Sequence, residues 1–138
     1  MTLPPHIADR IRTTVLEGRG RGIDEEARGH GAIALMGTLG STWLLRPDGS
    51  LWDVDADFEK PLTPLPDELR ITALVAGSQR YPWLAELLPQ RPDAARDCRK
   101  CGGRGMITPA GAPHSAQGIF CSDCSALGWV VAVPIGRP

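Results

Sequence analysis

Four cysteines constrain this chain more than any other feature. They fall in two Cys-x-x-Cys pairs, Cys98-Arg99-Lys100-Cys101 and Cys121-Ser122-Asp123-Cys124, with nineteen residues between the inner cysteines. A two-residue gap lets one tight turn aim two sulfurs at one point. Two such turns complete a tetrahedron, and soft thiolates suit Zn²⁺, so the spacing predicts one structural zinc ion. Four thiolates leave no open position for water, which argues against a catalytic metal. The rivals are a thiol oxidoreductase and an iron–sulfur centre. A redox-active pair belongs at a helix start after a strand, whereas Cys101 runs into Gly102-Gly103. Four cysteines also suffice for iron–sulfur ligation, which the spacing leaves open.

The neighbours of these cysteines carry a further pattern. Cys98, Cys101, Gly103 and Gly105 spell Cys-x-x-Cys-x-Gly-x-Gly, and the second copy keeps Cys121, Cys124 and Gly128 with Ala126 at the first glycine position. Residues 98–128 thereby resemble the cysteine-rich zinc repeats of the DnaJ chaperone family. The resemblance implies that two repeats share a zinc ion and that the module holds polypeptides or partner proteins. It is confined to this stretch, because the His-Pro-Asp of a J-domain occurs nowhere in the chain. Gly102 and Gly103 are expected to curl the backbone so that N–H groups face the sulfurs.

Upstream, the sequence predicts an α+β body over 1–92, a small antiparallel sheet packed with two or three helices. A Cys₄ zinc-ribbon-like module follows over 93–138, with the boundary in the Pro-rich stretch 90–97. A first helix is expected from Ile7, Ile11 and Val15 at four-residue spacing, with Leu3 and Leu16 widening its buried stripe and Gly18 ending it. Residues 18–30 read as a glycine-rich loop with a short helical turn. Thr42–Leu45 and Leu51–Val54 flank Pro47-Asp48-Gly49-Ser50, a turn signal, so they form a hairpin, with Trp43 and Trp52 in cross-strand or diagonal contact. Residues 31–37 supply a third strand, since a lone hairpin is marginal. A Pro-rich connection over 55–66 leads to a helix from Asp67 that Gly77 closes. A short helix over Trp83–Leu88 follows, and the last strand is expected within Leu127–Ile135, ending at Pro134.

Other candidate sites are weaker. Asp53, Asp55 and Asp57 open like a calcium loop, but Phe58 and Pro64 stand where glycine and glutamate are required. Gly-Arg-Gly-Arg-Gly at 18–22 lacks the Lys-Ser/Thr of a phosphate loop. His6, His30 and His114 have no catalytic company, though His114 falls between the cysteine pairs. Trp43, Trp52, Trp83 and Trp129 read as packing residues.

Charge narrows the partners. The chain carries a formal net charge of −1, with no strong electrostatic footprint for nucleic acid. Arg96, Arg99, Lys100 and Arg104 nevertheless cluster beside the cysteines and keep a zinc-ribbon nucleic-acid-binding protein as the alternative to a non-enzymatic protein-interaction module. No apolar run approaches the ~20 residues that span a bilayer. Pro4, Pro5, His6 and Asp9 interrupt any leader-like apolar core. The expectation is a cytoplasmic protein with no membrane partner, where cysteines stay reduced and free to bind metal.

Overall fold

In the computed structural model, residues 2–38, 41–107 and 119–131 are described. The chain divides into two compact units, Met1–Leu87 and Leu88–Pro138. None of the described helices is long and apolar enough to cross a membrane.

The first unit is an antiparallel meander with helices packed on it. Strands β1 (Ile33–Thr38), β2 (Ser41–Leu45), β3 (Leu51–Val54) and β4 (Thr63–Pro64) lie in sequence order. The expected hairpin is present with Leu45 opposite Leu51 and Thr42 opposite Val54. Its turn closes through Arg46 N–H to Ser50 O and Gly49 N–H to Arg46 O. The strand expected at 31–37 is β1, and it carries a bulge, since the register shifts between Ala34 and Met36. The Pro-rich connection over 55–66 contains a strand the sequence reading lacked. Two residues including a proline give no alternation to detect, and β4 pairs only through Trp52–Pro64 and Asp53–Thr63.

Register corrects one expectation. Trp43 pairs with Asp53 and Trp52 with Leu44. Directly opposed residues share a face and neighbours along a strand do not, so the two tryptophans lie on opposite faces and make no cross-strand pair. The Trp52 face packs Ala34, Leu44 and Val54 against Ala27 and Ala32, with Ile23, Phe58 and Leu62 at the margin. Ile23 and Ala27 belong to α2 (Ile23–Gly29), which collects Asp24, Glu25 and Glu26 in its first turn, where the helix dipole favours acids.

Helices α1 (Pro5–Glu17) and α3 (Arg70–Arg80) both pack on β1. In α1 the buried stripe is Ile7, Ala8 and Ile11, and Leu3 is buried just before it. Leu16, expected to widen that stripe, is 85% exposed. It follows Val15 around the helix, beyond the side that faces the sheet. A 3₁₀ turn, Asp67–Leu69, leads into α3. Gly77 does not close α3, which runs to Arg80. A Cβ on Gly77 would stand 2.6 Å from Leu35 Cδ2 and 3.0 Å from Leu84 Cδ1. The glycine is there for close packing against the bulged strand, and Leu35 and Leu84 are both fully buried. The short helix expected at Trp83–Leu88 is a 3₁₀ helix, Pro82–Leu87. Arg80 ties three elements together by donating to Ala34 O (2.6 Å) and Asp24 Oδ2 (2.9 Å).

The second unit is built from two short ladders. Strand β5 (Ala95–Asp97) pairs with β8 (Trp129–Val131), and β6 (Met106–Ile107) pairs with β7 (Ile119–Phe120), both antiparallel. The last strand thus starts two residues later than expected. Its expected continuation to Ile135, and the hairpin tip holding His114, lie outside the described residues.

Candidate metal centre

The strand order of the second unit places the cysteines. One turn, Cys98–Gly105, connects β5 to β6, and the other, Cys121–Gly128, connects β7 to β8. Because β5 pairs with β8 and β6 with β7, the two turns are held face to face. All four Sγ atoms lie within 4.8 Å of one another. Cys98 Sγ is 3.8 Å from Cys121 Sγ, and Cys101 Sγ is 3.7 Å from Cys124 Sγ. Each cysteine is buried, from 0 to 5% exposed, and none forms a disulfide. Ile107 and Val130 pack against the cluster.

The halves are internally symmetric. Gly105 N–H donates to Cys101 Sγ and Gly128 N–H to Cys124 Sγ, both at 3.2 Å. Cys98 N–H donates to Gly128 O and Cys121 N–H to Gly105 O, both at 2.9 Å. Within the turns, Gly103 N–H bonds Cys98 O at 3.2 Å and Ala126 N–H bonds Cys121 O at 2.9 Å. Lys100 and Asp123 occupy equivalent positions, and their charged ends meet at 3.7 Å. Both are more than half exposed, so the pair adds little stability. Each turn therefore completes the other's backbone hydrogen bonding.

Sequence reasoning put the sulfur-facing N–H groups on Gly102 and Gly103. In the structure the closest amide donors are Gly105 and Gly128 at 3.2 Å, and of the two expected glycines Gly103 also turns its amide toward the Cys101 sulfur. Gly105 and Gly128 are identifiable as the final glycine of each Cys-x-x-Cys-x-x-x-Gly copy, and side-chain patterns alone do not separate a donor from a mere turn former.

The thiols do not titrate alike. For Cys101, burial opposes ionisation, but the Gly105 amide, the Cys124 thiol and the Gly103 amide outweigh it and draw the pKa down to about 7. Cys124 is pushed up to about 12, first by burial, while the Gly128 amide pulls the other way and the neighbouring sulfurs push further. Four thiols in one cage give this ordering: one ionises readily with its neighbours as donors, and the next charges are repelled. A cation bound between them removes that repulsion. The arrangement can hold one metal ion on four sulfurs.

Among the described residues, no other group of three or more His, Cys, Asp or Glu side chains gathers in a metal-binding arrangement. Asp55 accepts backbone N–H groups from Glu59 (3.1 Å) and Lys60 (2.7 Å), so its carboxylate closes a local turn. Asp53 faces Trp43 and Thr63 across the sheet. It borders an open cleft of about 370 Å³ with Ser41, Asp55, Lys60 and Thr63, which sequence reasoning did not find. His30 stacks on Phe58, and His6 meets exposed Glu86 at 2.6 Å. Arg19 and Gly20 of the glycine-rich segment give their carbonyl oxygens to Arg28.

No family model matches the chain, and no curated protein or solved structure matches it significantly.

Proposed function

We propose that this is a non-enzymatic zinc protein whose closed four-thiolate centre organises a module that binds a polypeptide partner. The size of the cage carries the reading. A regular tetrahedron with Zn–S bonds of ~2.3 Å has edges of ~3.8 Å; two of the six sulfur separations, 3.8 and 3.7 Å, match it, and all six lie within 4.8 Å. An iron–sulfur cluster holds its cysteines around a core of several atoms, so its thiolates stand farther apart than those of one ion. With four sulfurs on the ion, no position remains for a reacting water, and the role is structural.

A protein partner follows from the resemblance of 98–128 to the DnaJ-type repeats. Charge favours it over nucleic acid. Residues 93–138 hold five basic and three acidic side chains, and four thiolates on a divalent ion add two negative charges. The loaded module therefore has no positive excess to drive counterion release from phosphates.

Native mass spectrometry of the reduced protein tests the centre, with one zinc per chain expected and none after Cys98→Ser/Cys121→Ser. A metal-free purified chain whose residues 95–107 and 119–131 keep their order would refute it. The partner half is tested on an array of unfolded peptides. Binding should disappear when a chelator strips the metal, and binding that ignores the chelator removes the module from the interaction.

A further inference from the structure

The two turns of the cage match residue for residue at an offset of 23, yet they are not equally relaxed. After its second cysteine the first turn has Gly102 (φ 64°) and Gly103 (φ 86°). The second has Ser125 (φ 53°) and Ala126 (φ 67°) at the equivalent positions. A left-handed backbone is open to glycine at no steric cost, while a residue with a Cβ crowds its own carbonyl there. Among the described residues only Phe58 shares this conformation without being glycine, and it is held by the core of the first unit.

Ser125 is half-buried, and Ala126 is buried with its carbonyl against Gly105 of the facing turn. Their segment is held by Ser125 N–H to Ser122 O (3.4 Å), Ala126 N–H to Cys121 O (2.9 Å) and Leu127 N–H to Cys124 O (3.0 Å). Each of these bonds lies within the turn itself. Beyond them stand the Gly128 N–H on Cys124 Sγ and the bonds across the cage. What keeps two successive left-handed residues in place is therefore the meeting of the two turns, which a shared ion on the four sulfurs would enforce.

We infer that Cys121–Gly128 is the releasable half of a metal clamp. Its backbone strain opposes metal binding, so it lets go first and holds the affinity below that of an all-glycine cage. Cys98 and Cys101 stay on an unstrained turn that remains preformed to recapture the ion. The centre is then exchangeable, and the module's order follows the supply of free divalent metal. This rests on the four-thiolate metal reading above.

The test uses the full chain, with Zn²⁺ and Co²⁺ as probes in competition with a chromophoric chelator. Ser125→Gly/Ala126→Gly should bind either metal about 5- to 30-fold more tightly, the relief of two left-handed residues less the entropy glycine adds to the open state. Gly102→Ser is the mirror experiment. A Cβ there meets nothing within 4 Å, so only backbone strain changes, and affinity should fall. In the chelated, reduced protein, the amides of Ala126 and Leu127 should exchange with deuterium before those of Gly103 and Arg104. Unchanged affinity in the double variant, or earlier exchange at Gly103, overturns the clamp while the centre stands. Failure of the unaltered chain to bind either metal overturns both.

Discussion

Gly105 lies against the carbonyl of Ala126 so closely that a Cβ on the glycine would stand 2.3 Å from that oxygen. The equivalent contact, from Gly128 to the carbonyl of Gly103, would measure 2.5 Å. In both cases backbone meets backbone, so no side chain can swing aside. The same two glycines donate to the sulfurs of Cys101 and Cys124. Close approach of the two turns and amide donation to sulfur are thus one piece of geometry.

Gly105→Ala should therefore damage the centre without touching a ligand. It combines overpacking against an immovable carbonyl with a left-handed φ of 79°. The cost is about 2–5 kcal/mol, taken up as metal affinity lowered at least roughly 30-fold. Chelator competition measures it, and an affinity within threefold of the parent would show that the turns can separate freely. Gly102→Ala, left-handed but free of contacts, gives the strain alone and so isolates the overpacking.

Metal removal should act on one unit only. Among its described residues the second unit buries little besides its cysteines, Gly105, Ala126 and Gly128, and the ladders they form are two or three residues long. Ion binding worth roughly 10–16 kcal/mol in comparable small sites is then most of its folding free energy. The first unit has its own core in Ile7, Ile11, Leu35, Leu44, Leu45, Leu74 and Leu84. Amide spectra recorded with chelator should lose the dispersed signals of Ala126, Leu127 and Gly128 and keep those of Ile11 and Leu44. Collapse of both sets together would mean that the units fold as one.

The sequence made the cysteine cluster legible because cysteine chemistry is local: a two-residue gap already brings two sulfurs to one turn. The hairpin was legible for a similar reason, since Pro47-Asp48-Gly49 specifies a turn whatever surrounds it. Faces were harder. Trp43 is two residues before Leu45 and Trp52 one residue after Leu51, and once Leu45 pairs with Leu51 that difference in parity separates the rings. The pairing depends on how the five residues Arg46–Ser50 close, which composition does not reveal. Strand β4 borrows its order from Trp52 and Asp53. The bulge at Leu35 depends on what α3 offers it, a contact 42 residues away in the chain. Local chemistry was readable, and long-range fit was not.

Gly77 belongs to that second class. Gly77→Ala improves helix propensity, yet its Cβ would overlap Leu35 Cδ2 and press on Leu84 Cδ1. Overpacking should win, with a net loss of about 1–3 kcal/mol in the first unit. Urea denaturation with Gly77→Ala, Leu35→Ala and the double variant checks the cause. Space freed by Leu35→Ala should absorb the new methyl, so the double variant should be more stable than the sum of the two losses. Strict additivity would place the damage elsewhere.

The turn after β3 should give the first unit part of its acid sensitivity. Asp55 accepts N–H bonds from Lys60 and Glu59 while Phe58 sits at φ 55° between them. These bonds, the Lys60 amide foremost, favour the carboxylate over the acid and outweigh desolvation, holding the Asp55 pKa below 3.8. A carboxyl whose folded pKa lies below its unfolded value stabilises fully above the unfolded pKa. That contribution fades as pH falls through the folded one. Asp48, lowered by its bonds from Ser50, acts in the same direction. Comparing Asp55→Asn with the parent isolates the Asp55 share, because the amide oxygen still accepts a hydrogen bond but carries no charge to titrate. Between pH 6 and pH 3 the variant's stability, measured by urea denaturation of the first unit, should fall less than the parent's. Its deficit should be largest at pH 6 and shrink toward pH 3. Parallel curves would mean that Asp55 holds its turn equally well when protonated.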